Sequence, residues 1–191
     1  MQNMGDLAGA KPYYEQALAI RREALGEKHP DTATSLNNLG ALLDSMGDLA
    51  GAKPYYEQAL AIYREVLGNK HPDTATSLNN LGYLLQAMGD LAGAMPYLEQ
   101  ALAIKREALG NKHPDTATSL NNLGVLHAYL GEWQQAVEYM EQALGIRLDV
   151  LGGDHPDTAR TLVSLVFMNQ EMGDQSGAQK YFNQIMEITQ G

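Results

Sequence analysis

Leucines recur along the chain with the spacing of a helix face. Leu36, Leu39, Gly40 and Leu43 fall at i, i+3, i+4 and i+7, the stripe an amphipathic helix turns toward a core. Farther on, Ala52, Tyr55, Tyr56, Ala59, Leu60, Tyr63 and Leu67 trace a second apolar face. The punctuation agrees. His29-Pro30-Asp31 opens the first helix, because proline suits a first turn and an early aspartate suits the positive end of the helix dipole. Gly47-Asp48 ends that helix and caps the next, and Gly68 closes the second. Pro54 lies about a turn inside the second helix and bends it by removing one backbone hydrogen bond, a feature repeated at Pro12 and Pro96. The pattern predicts helices at 6–25, 31–46, 49–67, 73–88, 91–109, 115–130, 133–151, 157–172 and 175–189, with no strands.

The pairs are copies of one another. HPDTATSLNNLG starts at His29, His71 and His113, and the weaker HPDTARTLVSLV starts at His155, so the period is 42 residues. Residues 26–67 and 68–109 differ at only eight positions. The stretch from Met4 to Ile20 matches Met46 to Ile62, so the chain opens within a repeat. One domain over 1–191 follows, built from a half repeat at 1–25, full repeats at 26–67, 68–109 and 110–151, and a divergent terminal repeat at 152–191.

Leu36, Leu39-Gly40, Leu43, Gly47, Ala52, Tyr56 and Ala59 stand at the spacings of the tetratricopeptide repeat, which the unit resembles. The longer period, with HPDTA and LNNLG, is similar to the repeats of kinesin light chains and related bacterial arrays. The resemblance implies an all-α, right-handed superhelical solenoid of antiparallel helix pairs with a concave groove. Gly40, Gly82 and Gly124 would let the two helices of a pair approach closely, helped by the small Ala52 and Ala59.

Composition narrows the chemistry. Hydrophobic residues make up 45% of the 191 positions, enough to bury a core. Thirteen Lys+Arg against 23 Asp+Glu leave a net charge of −10, which argues against nucleic acid and anionic membranes as partners. No cysteine is present, so disulfides and thiolate sites are excluded. No signal pattern or membrane-length apolar run occurs, and a cytoplasmic protein is expected. His29, His71, His113 and His155 cannot share a metal: ligands must lie within about 2.2 Å of the ion, whereas successive helix pairs are separated by two spacings of about 8–10 Å each. Each histidine is read as a hydrogen-bonding residue at a helix start. Departures from the repeat are few, chiefly His127 for Leu85, Trp133 for Leu91, Tyr129 for Ala87, and Arg160. His127 and Trp133 read as core residues. No paired carboxylates, phosphate loop or nucleophilic triad appears, so no catalytic residue, metal or cofactor is expected.

The polar face of the first helix is the candidate site. Thr34, Asn37, Asn38, Ala41, Asp44 and Ser45 fall opposite the leucine stripe. In the resembled family this face lines the groove and holds extended peptides. An asparagine amide offers donors and an acceptor to a peptide backbone. The expected peptide-binding residues are Thr34, Asn37, Asn38 and Asp44, then Thr76, Asn79, Asn80, Tyr83 and Gln86, and then Thr118, Asn121, Asn122 and Tyr129. The competing role for each asparagine pair is a solvated surface, or a bond from one member to the neighbouring repeat. Residues 31–46, 73–88 and 115–130 contain no Lys or Arg, so a neutral to basic ligand is favoured over an acidic one.

A protein-interaction scaffold without catalysis is therefore expected. The half-repeat start also suits a regulatory segment of a larger, NTPase-linked protein, and a self-assembling structural array is the third reading; the near-identical units fit recent duplication or an engineered array equally well. The ends point to weak end-to-end association. Leu7, Tyr14 and Leu18 lack a first-helix partner, and Tyr181, Phe182, Ile185, Met186 and Ile188 load the last helix with apolar side chains.

Overall fold

The computed structural model describes residues 4–190, so residues 1–3 and 191 of the expected repeats lie outside the described residues. Nine helices are present among them: α1 (Met4–Leu25), α2 (Pro30–Ser45), α3 (Leu49–Val66), α4 (Pro72–Ala87), α5 (Leu91–Leu109), α6 (Pro114–Tyr129), α7 (Trp133–Leu151), α8 (Pro156–Glu171) and α9 (Gln175–Gln190). The first helix of each pair starts and stops one residue earlier than expected. The reason is local: proline itself takes the first helical position, and the preceding histidine becomes the cap. The helices form two compact units, Met1–Ile104 and Lys105–Gly191.

The HPDT string resolves into four bonding roles. The Asp31 amide donates to Nδ1 of His29 at 3.1 Å, and the same bond recurs at His71, His113 and His155. An acceptor at this point satisfies one of the amides that a helix start leaves unpaired. Thr32 Oγ1 donates to the Gly26 carbonyl at 2.8 Å, repeated by Thr74, Thr116 and Thr158. That second bond ties each first helix to the end of the helix before it. Between the helices of a pair, Gly47 turns the chain at φ 82°, a conformation open to glycine and costly for other residues.

Close packing explains the leucine stripe. Leu36, Leu39, Ala52 and Ala59 are almost wholly buried in the first unit, as are Leu123, Leu126, Ala136 and Met140 in the second. A Cβ on Gly40 would stand 3.0 Å from the Tyr56 ring, and one on Gly124 would stand 3.1 Å from the Ala136 carbonyl. The glycine in LNNLG is therefore a contact surface.

A different set of bonds joins successive repeats. Arg22, Arg64 and Arg106 donate to Gln58, Gln100 and Gln142 at 3.4, 3.0 and 2.8 Å. Lys28 pairs with Glu65 at 2.6 Å and Lys112 with Asp149 at 3.3 Å. Each exposed pair contributes little alone, but the series fixes the register. The last repeat breaks it, with Leu148 where the arginine would stand. There α9 is held to α7 instead by Lys180 and Tyr181, both bonded to Glu141.

The ends differ from expectation at one residue. Leu18 is only 4% exposed, because α1 packs on α2 and carries Leu18 into that interface. Tyr14 remains open as expected, and Leu7 is half-buried. On α9, Tyr181 is buried and Ile185 and Ile188 pack on the core, whereas Phe182 and Met186 stay exposed.

The caps of the second helices show a paired substitution. Asp48, Asp90 and Asp174 each accept from the amide three residues on, at 2.9 Å from Gly51, Gly93 and Gly177. A Cβ on Gly51 or Gly93 would run into that carboxylate as it sits in the cap, so cap and glycine belong together. In the third repeat Glu132 replaces the aspartate, makes no side-chain cap, and Gln135 stands where the glycine would be. Asp90→Ala is expected to cost about 1 kcal/mol, measured by urea unfolding, whereas Gln135→Gly gains no cap and lowers stability by roughly 0.5–1 kcal/mol through helix propensity.

Candidate functional site

The polar face of the first helices divides into two populations. Asn37 is buried and accepts from Ser77 Oγ at 3.2 Å, across to the next repeat. Asn121 accepts from Arg147 Nη1 at 3.1 Å, and the same guanidinium reaches the Asp157 carbonyl at 3.2 Å and the Thr161 hydroxyl. These asparagines hold repeats together. The second member of each pair does not share that seam. Asn38 is exposed, and Asn80 and Asn122 are half-buried; Asn122 takes only a long 3.5 Å contact from Asn121. Asn38 also lines a pocket of about 200 Å³ with Tyr13, Tyr14, Ala17, Arg21 and Ser35.

The remaining expected residues separate in the same way. Thr34 donates back to the Pro30 carbonyl at 3.1 Å and shares a 2.8 Å bond with the Tyr63 hydroxyl. Thr76 and Thr118 bond back to Pro72 and Pro114 at 3.1 and 3.2 Å. Tyr83 and Tyr129 extend into solvent. Gln86 is only 7% exposed, and its Oε1, like Oδ1 of Asn79, has no hydrogen-bond partner among the described residues. Such orphaned acceptors cost free energy when buried.

Electrostatics mark Asp44. It is half-buried one residue from the C-terminus of α2, and burial holds its carboxyl above the usual range. No hydrogen bond or ion pair reaches that carboxylate among the described residues. Tyr56 is pushed up as well, first by burial, then by the Asp44 charge and the Tyr83 phenol. Asp44, Tyr56 and Tyr83 thus form one electrostatic neighbourhood in the first unit.

Residues of the second helices enter this face and bring cations that residues 31–46, 73–88 and 115–130 lack. Arg21 donates to the Asp31 carbonyl at 3.0 Å and Ser35 at 2.8 Å, Lys105 reaches Asp115 at 2.6 Å, and Arg147 makes the bonds above. Arg21, Tyr63, Lys105 and Arg147 are equivalent positions 42 residues apart. Burial lowers the Arg147 pKa, partly offset by Asp157. These charges are tied into the seam. Arg160 is likewise paired with Asp157, whose carboxyl it holds low.

The four cap histidines each serve their own helix. His127 is buried, stacks on Tyr139 with centroids 5.2 Å apart, and places Nδ1 2.5 Å from Glu132. The carboxylate lost as a cap is the one that reaches this histidine. Trp133 is half-buried against the core and meets Phe167 edge-on at 6.2 Å. Among the described residues no group of three His, Cys, Asp or Glu could hold a metal, and no helix is long and apolar enough to cross a membrane.

Comparison with known proteins agrees with this anatomy. BtubC (BKLC) from P. vanneervenii superposes with a TM-score of 0.84 at 28% identity, covering 97% of this chain and 74% of that one. A Podosopora anserina protein described as a kinesin light chain with nearly identical TPR-like repeats gives 0.77 at 29% identity, over 97% and 88%. A Rap protein complexed with Competence and Sporulation Factor shares the fold, with a TM-score of 0.81 at 17% identity over 96% and 49%. No curated protein matches the sequence. The tetratricopeptide repeat model matches residues 1–65, 45–107, 73–149 and 115–191. Such repeats are typically protein–protein interaction scaffolds rather than catalysts, and this chain belongs to the tetratricopeptide repeat family.

Proposed function

We propose that the chain holds an extended, neutral to basic peptide on the polar faces of its first helices. One observation carries the reading. On a face where the threonines, Asn37 and Asn121 are tied back into the protein, Asn38, Asn80 and Asp44 keep hydrogen-bonding groups unpaired among the described residues. Two amides on successive repeats can bond a peptide backbone without regard to its sequence. Asp44 adds a preference, because a half-buried carboxylate with no cation beside it gains from a ligand that brings one. The Rap protein complexed with Competence and Sporulation Factor supports the reading at the level of fold.

The asparagine pairs supply the test. Peptides selected from a displayed random nonapeptide library are expected to bind Asn38→Ala/Asn80→Ala about tenfold more weakly by calorimetry, with the melting temperature unchanged. Asn121→Ala is expected to lower the melting temperature, since it removes a partner from the buried Arg147. Failure to select any peptide, or undiminished binding to the double variant, contradicts the proposal.

Asp44 supplies a second test. Its pKa is raised in the folded protein, so the native state binds a proton more readily than the unfolded chain, and the resulting penalty is present above that pKa and relieved as pH falls through it. Asp44→Asn is therefore expected to be more stable than the parent near neutral pH, with the difference shrinking toward about pH 4, near the carboxylate range. Urea unfolding at several pH values measures this. The same variant is expected to bind lysine-bearing peptides more weakly.

A further inference from the structure

Two departures from the repeat meet at one seam inside the first unit. Helices α2 and α4 differ only at Ala41/Tyr83, Asp44/Gln86 and Ser45/Ala87. Asn37 on α2 faces Ser77 on α4, the two being bonded at 3.2 Å. Asp44 follows Asn37 by seven residues, two turns along the same stripe. It therefore faces α4 about two turns beyond Ser77, where Tyr83 stands, 48% exposed. Helix α3 supplies the third side. A Cβ on Gly40, one turn before Asp44, would stand 3.0 Å from the Tyr56 ring and 3.2 Å from its hydroxyl-bearing carbon. Burial first, then the Asp44 charge and the Tyr83 phenol, push the Tyr56 hydroxyl up, as expected of three groups that share one space.

The protein brings no cation to this carboxylate. Residues 31–46 and 73–88 contain no Lys or Arg, and the second-helix position that holds Arg21, Lys105 and Arg147 elsewhere is Tyr63 on α3, bonded to Thr34. A carboxylate beside an open aromatic ring suits a cation, which gains from the charge and from the ring face together. The reach says how that cation is carried. Asp44 lies six residues from Asn38, about 9 Å along α2, so a ligand backbone bonded to the Asn38 amide meets it only through a long side chain. We infer that Asp44, Tyr56 and Tyr83 form a subsite for one lysine or arginine side chain, with its charge on the Asp44 carboxylate and its stem along the Tyr83 ring. The inference rests on the peptide-binding reading above for what carries that side chain, and it makes Tyr83 a specificity-determining residue. The next two repeats carry Gln86 and Ala128 in place of Asp44, so they do not repeat the carboxylate.

Small probes test the subsite apart from any peptide. They are the N-acetyl methylamides of lysine, arginine and norleucine, the last offering a stem without a charge. Tyrosine ring signals are followed by NMR, with those of Tyr83 identified by their loss in Tyr83→Phe. The lysine or the arginine probe is expected to shift the Tyr83 signals saturably, with norleucine at least about tenfold weaker. Asp44→Asn and Tyr83→Ser are each expected to weaken the basic probe several-fold or more without lowering the melting temperature, whereas Tyr83→Phe, followed at Tyr56, retains it. Equal binding of norleucine overturns the inference, as does undiminished binding to Asp44→Asn or to Tyr83→Ser, or no shift with any probe. Selected peptides that lose affinity in Asn38→Ala/Asn80→Ala but not in Asp44→Asn or Tyr83→Ser overturn it too, and leave the peptide-binding reading standing. If no peptide can be selected while a basic probe still shifts Tyr83, the cation subsite is upheld and the peptide-binding reading alone falls.

Discussion

The close approach of the two helices in each pair governs this molecule. Gly40 lies so near Tyr56 that a single added carbon would touch the ring, and Gly124 lies as near the backbone of α7. Once the pair is this tight, the leucine stripe and small alanines have one place to go, and the caps must hold each helix end in register. The histidine and threonine of HPDT, and the aspartate–glycine caps, are the bonds that do so.

Much of this was legible in the sequence because packing writes itself as periodicity. The leucines, the glycine turns and the 42-residue period led to the helices within a residue at most ends. A hydrogen-bonding or turn role for His29 was expected, but neither its place as the cap nor the threonine bond to the preceding glycine carbonyl was, since nothing in spacing shows which backbone group a side chain will find. Leu18 departs from expectation for a similar reason: spacing within one helix does not show the cover that α2 supplies.

The candidate site was less legible. Helical angle places Asn37 and Asn38 together, yet one is buried against the next repeat and the other faces out. That division depends on contacts between repeats, which a single helix cannot encode. The role of Arg147 was hidden for the same reason, because its three partners lie on two other helices. The pairing of Glu132 with His127 shows that such couplings leave a trace once known. Where the cap aspartate becomes glutamate, the glycine three residues on becomes glutamine and a leucine becomes the histidine it binds.

The central claim is that the polar face divides its labour, Asn37 joining repeats while Asn38 and Asn80 meet the ligand. Side-chain amide NMR resolves the two directly. On addition of a selected nonapeptide, the Asn38 and Asn80 amide signals should shift while that of Asn37 stays in place and remains slow to exchange with solvent. Ligand-dependent shifts at Asn37, with Asn38 and Asn80 unmoved, would contradict the account.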